Sequence, residues 1–140
     1  MSKNFKTLRK ELWDNALMSD DSDTRLEELY NNSSLKNTFP EVNAIVGFGD
    51  GFTHKDLWAH VKQVIRQCPK DVTLRWVALF HDIGKPSTFS KNNGKVAFHM
   101  HEHKGGYMFN RICERTGLWN NEPEQANTIR WLITNSSRAC

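Results

Sequence analysis

The sequence predicts an all-α domain, a compact bundle of about six helices, and three observations carry that expectation. Apolar residues recur at helical spacing through most of the chain. No alternation of strand-like and helix-like segments is seen, which argues against a Rossmann-type sheet. The breaks between periodic segments are built from Asn, Asp, Gly and Pro, residues that start and stop helices. At 140 residues the chain fits one domain with a modest core. That domain is expected to span 1–140, with an N-terminal helix and loop over 1–25 and the main body over 26–137.

Taken in order, residues 3–18 carry Phe5, Leu8, Leu12, Ala16 and Leu17 at helical spacing, predicting a surface helix with one buried stripe. Ser19-Asp20-Asp21-Ser22-Asp23 interrupts it and is expected to be a solvated loop that N-caps the next helix rather than a cation site. Leu26, Leu29 and Tyr30 mark a short helix ended by Asn31-Asn32-Ser33-Ser34. Leu35 to Glu41 predicts a turn with a new start at Pro40, and Gly47 to Gly51 a flexible loop without phosphate-loop spacing. Asp56 to Gln67 is amphipathic, with His60 near its apolar face. Asp71 is expected to cap the next helix, whose Val72, Trp76, Val77, Leu79 and Phe80 make it apolar nearly all round and therefore central. Ser87 to Lys95 is a polar loop. A helix from about 102 to 115 follows, with Gly105-Gly106 near its start. That pair costs helix stability and makes sense where the backbone must approach another helix or a ligand closely. Gly117 ends this helix, and Pro123-Glu124 starts the last one.

Composition narrows the function. The formal charge of +3 permits an anionic substrate, but there is no dense Lys/Arg run to announce a nucleic-acid groove. No apolar run approaches the ~18 residues of a membrane span. Cys68, Cys113 and Cys140 form no CxxC pair and are expected to be reduced thiols of a cytoplasmic protein. All six histidines, His54, His60, His81, His99, His101 and His103, fall within residues 54–103. Such clustering points to a metal or proton-transfer site.

The stretch Leu79-Phe80-His81-Asp82-Ile83-Gly84-Lys85-Pro86 is the focus. Gly84 and Pro86 are helix-stop residues, which places His81 and Asp82 in the last turn of a helix. An imidazole beside a carboxylate suits a divalent ion such as Mn, Ni, Co, Fe, Zn or Mg. With His60 on the preceding helix and the His/Glu cluster after it, three elements converge.

The pattern resembles the HD superfamily of metal-dependent phosphohydrolases, whose signature is H…HD…D on an all-α fold. It is most similar to the HD domain fused to bacterial tRNA nucleotidyltransferases. The resemblance covers roughly residues 26–135. It rests on Phe39-Pro40-Glu41, Asp56-Leu57-Trp58-Ala59-His60, the 79–86 stretch, and Phe98 followed by His101-Glu102 and Gly105. It implies a metal held by His60, His81, Asp82 and His101, with Asp82, His101 and Lys85 in the chemistry. Lys85, His99 and His103 are candidate substrate contacts, and His54 and Lys55 candidate borders of the pocket. Arg111 and Arg115 are expected to face solvent. The family's closing Asp has no counterpart, since no aspartate follows Asp82; Asn135 is the candidate replacement.

The transferase's own paired-carboxylate domain is absent, so a free-standing module without polymerising chemistry is expected. The implied reaction is hydrolysis of a nucleotide or small phosphoester, either a 2′,3′-cyclic phosphodiester or a phosphomonoester. Two His and one Asp leave room for water and a phosphate oxygen, and the ion acidifies that water. The alternative is a degenerate module that binds a nucleotide, protein or RNA partner without turnover.

Overall fold

The computed structural model describes residues 5–49 and 56–135. The fold is all-α. Six helices of nine residues or more form the bundle among the described residues: α1 (Phe5–Met18), α2 (Ser22–Asn31), α5 (Leu57–Gln67), α6 (Val72–Phe80), α8 (His101–Thr116) and α9 (Pro123–Thr134). Single-turn helices α3 (Ser34–Thr38), α4 (Pro40–Asn43) and α7 (Lys85–Thr88) link them.

Local chemistry sets the boundaries. Asp56 caps α5 by accepting from the Trp58 amide at 3.1 Å, and Asp71 caps α6 from the Leu74 amide at 3.0 Å. Pro40 and Pro123 sit in the first turns of α4 and α9, where the missing N–H costs nothing. Gly117, at φ 65°, closes α8 in the left-handed cap. As expected, α6 is central: Arg75 through Phe80 are all buried, and it packs against α1, α5 and α9.

The core is aromatic. Phe39, at the junction of α3 and α4, meets the rings of Trp13, Trp76 and Phe80 at 4.9, 5.8 and 5.2 Å, each edge to face. Trp119 closes the far side against Trp76 at 4.9 Å and Phe109 at 5.1 Å. Phe39→Ala is expected to cost about 3–5 kcal/mol in urea unfolding, because no neighbour can collapse into the space left by a fully buried ring. Arg75 is buried too. Its guanidinium donates to the carbonyls of Leu17, Cys68 and Pro69, at 2.7 to 3.1 Å, and so ties the C-terminal ends of α1 and α5 to α6.

Four expectations are corrected. In α1 the core stripe is Trp13, Ala16 and Leu17, whereas Phe5, Leu8 and Leu12 stay exposed. The helix carries two adjacent apolar stripes, and the one holding the large Trp13 ring is the one that docks. The 19–23 segment does not cap α2 with a side chain: Asp21 stands at the cap without a capping bond. Its carboxylates instead pair with cations, Asp20 with Lys70 and Asp23 with Arg66, so the loop is stapled to the end of α5. The turn expected over Leu35 to Glu41 is helical at its start, as α3, while the new start at Pro40 is observed as α4.

The polar loop after Ser87 is a two-stranded hairpin, β1 (Phe89–Asn92) paired antiparallel with β2 (Lys95–Phe98). Asn93 and Gly94 turn it with φ of 52° and 79°. Positive φ at both central positions is what a two-residue hairpin requires, and Asn-Gly supplies it at least strain.

Candidate metal centre

Because α6 is buried on every side, its C-terminal end delivers the following residues into the interior. His81 is the cap of α6, at φ −62° and ψ −24°, and Asp82 lies in the turn beyond it rather than in the last helical turn. That half-step off the helix matters. Inside a helix neighbouring side chains diverge by about 100°, whereas here both reach one place. His60 comes from α5, which packs along α6. One ligand atom from each of His60, His81 and Asp82 lies within 4.8 Å of the others.

One oxygen of the cluster lacks a partner. His81 Nδ1 is 2.6 Å from the Ala78 carbonyl, which can only accept, so Nδ1 carries a proton and the ring is oriented with Nε2 toward Asp82. Nε2 lies 3.0 Å from Asp82 Oδ2, and His60 Nε2 lies 3.7 Å from the same oxygen. Oδ2 is buried and accepts no hydrogen bond. An orphaned buried carboxylate oxygen is costly, and a cation placed among these three side chains would satisfy it. Two imidazoles and a carboxylate are a fitting donor set for a divalent transition ion. Burial works to raise the Asp82 pKa, but the His81 imidazole, the Lys85 ammonium and His60 outweigh it and hold the carboxyl well below the usual carboxylate range.

The other oxygen of Asp82 faces a second group. Lys85 Nζ is 3.3 Å from Oδ1, and His101 Nε2 is 3.8 Å from it. His101 opens α8, with Nδ1 3.3 Å from the Phe98 carbonyl. Its place is fixed by backbone proximity. A Cβ on Gly84 would stand 2.9 Å from the Gly105 nitrogen and closer still to the His101 carbonyl oxygen. The glycine pair of α8 is explained in the same way: a Cβ on Gly105 would meet Ile133 at 3.1 Å, and one on Gly106 would run into Thr134. The close approach expected of this pair is therefore to α9.

The remaining candidates lie apart. His99, in the turn before α8, and His103, on α8, are exposed. The segment is helical from His101, so the alternating histidines do not share one side. Asn135 caps α9, and its Nδ2 donates to the Trp131 carbonyl at 2.8 Å, within its own helix. His54 and Lys55 lie outside the described residues. Arg111 is exposed and donates to the Tyr107 hydroxyl at 3.2 Å. Arg115 does not simply face solvent: it pairs with Glu41 and donates to the Thr38 carbonyl at 3.1 Å, pinning α8 to α3 and α4. Phe98 had no assigned role in the sequence reading, yet Lys85 Nζ lies 5.3 Å from its ring centroid and His101 6.4 Å.

An all-α bundle with a His-His-Asp cluster at the end of its central helix defines a metal-binding class of domain. The chain belongs to the HD domain family, whose model matches residues 58–139. It is 34% identical over 89 residues to an A-adding tRNA nucleotidyltransferase of Deinococcus radiodurans, covering 58% of this chain and 20% of that one. It is 30% identical over 131 residues to a multifunctional CCA protein of Pseudomonas fluorescens, and 33% over 130 residues to one of Pseudomonas paraeruginosa. Each of these two matches covers 89% of this chain and 31% of the relative. The chain thus spans less than a third of the length of these relatives. No solved structure matches. No helix among the described residues is long and apolar enough to cross a membrane.

Proposed function

We propose that this domain is a divalent-metal-dependent phosphohydrolase acting on a nucleotide or similar small phosphoester, by 2′,3′-cyclic phosphodiester or phosphomonoester hydrolysis. One observation carries it: the buried, unpartnered Oδ2 of Asp82 faced by two imidazole nitrogens. His60, His81 and Asp82 hold the ion, with His101 as a further ligand. When bound, the ion acidifies water and offsets charge on the phosphoryl group. Asp82 is the group placed to take the proton from water. Lys85, next to the carboxylate and only 17% exposed, donates to a phosphoryl oxygen. His99 and His103, being exposed, reach only a substrate that extends out of the pocket.

Metal content of protein purified without chelator, followed by turnover of p-nitrophenyl phosphate and 2′,3′-cyclic nucleotides with Mn, Ni, Co and Mg, tests the proposal. Metal-free protein with no turnover under any ion sinks it. The second reading, a domain that binds a nucleotide or an RNA or protein partner without turnover, is favoured by the absence of any aspartate after Asp82. The RNA version draws on the relatives' names and the mild positive charge. Asn135 is the proposed stand-in for the late carboxylate. That role requires its side chain to leave the Trp131 carbonyl; Asn135→Asp is then expected to tighten Mn binding by about tenfold, because a charged oxygen replaces a neutral one. Unchanged affinity in a calorimetric titration removes Asn135 from the ligand set.

A further inference from the structure

The β1–β2 hairpin has no task in the hydrolysis reading, yet it adjoins the cluster. Its strands are four residues each, too short to be stable alone, and aromatic contact seats them. Phe89 and Phe98 are directly paired in register, with ring centroids 5.6 Å apart, and both pack on Phe48, at 5.7 and 6.5 Å. From there the contacts run inward. The Phe98 ring has Lys85 Nζ at 5.3 Å and His101 at 6.4 Å, and Lys85 in turn is 3.3 Å from Asp82 Oδ1. At the other end Phe89 is left 38% exposed, a bare phenyl in an otherwise polar strand. Strand alternation puts Lys91 on the same face as Phe89.

We propose that Phe89 and Phe98 form an aromatic subsite that takes the base of a nucleoside phosphate whose phosphoryl group lies at Lys85 and Asp82. The position of the phosphoryl group rests on the reading given under Proposed function. A cation beside one ring of an aromatic pair matches the two ends of a nucleotide, joined through one sugar. A sugar phosphate brings no flat group to cover the exposed phenyl. Stacking on an aromatic ring is tolerant of base identity, so this subsite distinguishes nucleotides from base-free phosphates rather than one base from another.

Calorimetric titration of Mn-loaded protein with AMP, UMP and ribose 5-phosphate tests this. AMP and UMP are expected to bind about tenfold or more tighter than ribose 5-phosphate. Phe89→Leu, which keeps apolar packing but removes the aromatic face, is expected to bring the nucleotides down to the level of ribose 5-phosphate. It leaves ribose 5-phosphate affinity unchanged, and Phe89→Trp keeps the preference. Equal affinity of all three ligands for the unmodified protein overturns the proposal, as does a Phe89→Leu variant that weakens all three alike. Turnover is scored separately. Base-dependent binding without hydrolysis sinks the phosphohydrolase and leaves the subsite standing, whereas hydrolysis indifferent to the base does the reverse.

Discussion

Asp82→Asn is expected to empty the metal centre and lower metal-dependent turnover by about 10²–10⁴-fold, since in the proposed function the same residue holds the ion and accepts the proton. The substitution preserves shape, so the bundle stays folded and the loss is chemical. Elemental analysis alongside the rate assay checks it; full metal content with full turnover would remove Asp82 from the site.

The same variant has a pH signature in metal-free protein. The folded-state pKa of Asp82 is held below the ordinary carboxylate value. Its charge therefore contributes stability that is fully present above the unfolded value of about 4 and is lost as pH falls through the lower folded value. Urea midpoints of the parent and Asp82→Asn should converge as the acid range is entered, on the order of pH 4 and below. A gap that widens toward acid contradicts the assigned direction.

The second large effect is expected at Gly84. Gly84→Ala places a methyl group against two backbone atoms of α8, the His101 carbonyl and the Gly105 nitrogen, neither of which can rotate away. The turn and the helix must part, at a cost of about 3 kcal/mol, equivalent to a melting temperature lower by roughly 10 °C in a domain of this size. Parting them also carries His101 away from Asp82, so the proposed hydrolysis should fall with stability. A variant as stable as the parent would mean that the turn and α8 do not meet this closely.

Much of the site was legible in the residues themselves. His60, His81 and Asp82 were grouped from helix periodicity, stop residues and a family pattern, and their ligand atoms do converge. The caps at Asp56 and Asp71 were legible because capping is decided within a few residues. The hairpin was also within reach. Asn93-Gly94 between Phe89-Ser90-Lys91-Asn92 and Lys95-Val96-Ala97-Phe98 is a strong short-range turn signal, obscured by the polar character of the segment. Which stripe of α1 is buried was not legible, because two apolar stripes satisfy the same period and only the partner surface chooses between them.

By itself, then, the sequence determined the local things: where helices begin and end, that the most apolar of them is central, and which residue types cluster at its end. These follow from backbone propensity and spacing, which act over a turn or two. The tertiary structure alone decided how Asp82 divides its oxygens, with Oδ2 turned to His60 and His81 and Oδ1 to Lys85 and His101. It likewise decided that Phe98 stands beside Lys85. Those contacts join residues from separate helices and a hairpin, and their geometry is fixed by the close approach of backbones at Gly84, Gly105 and Gly106.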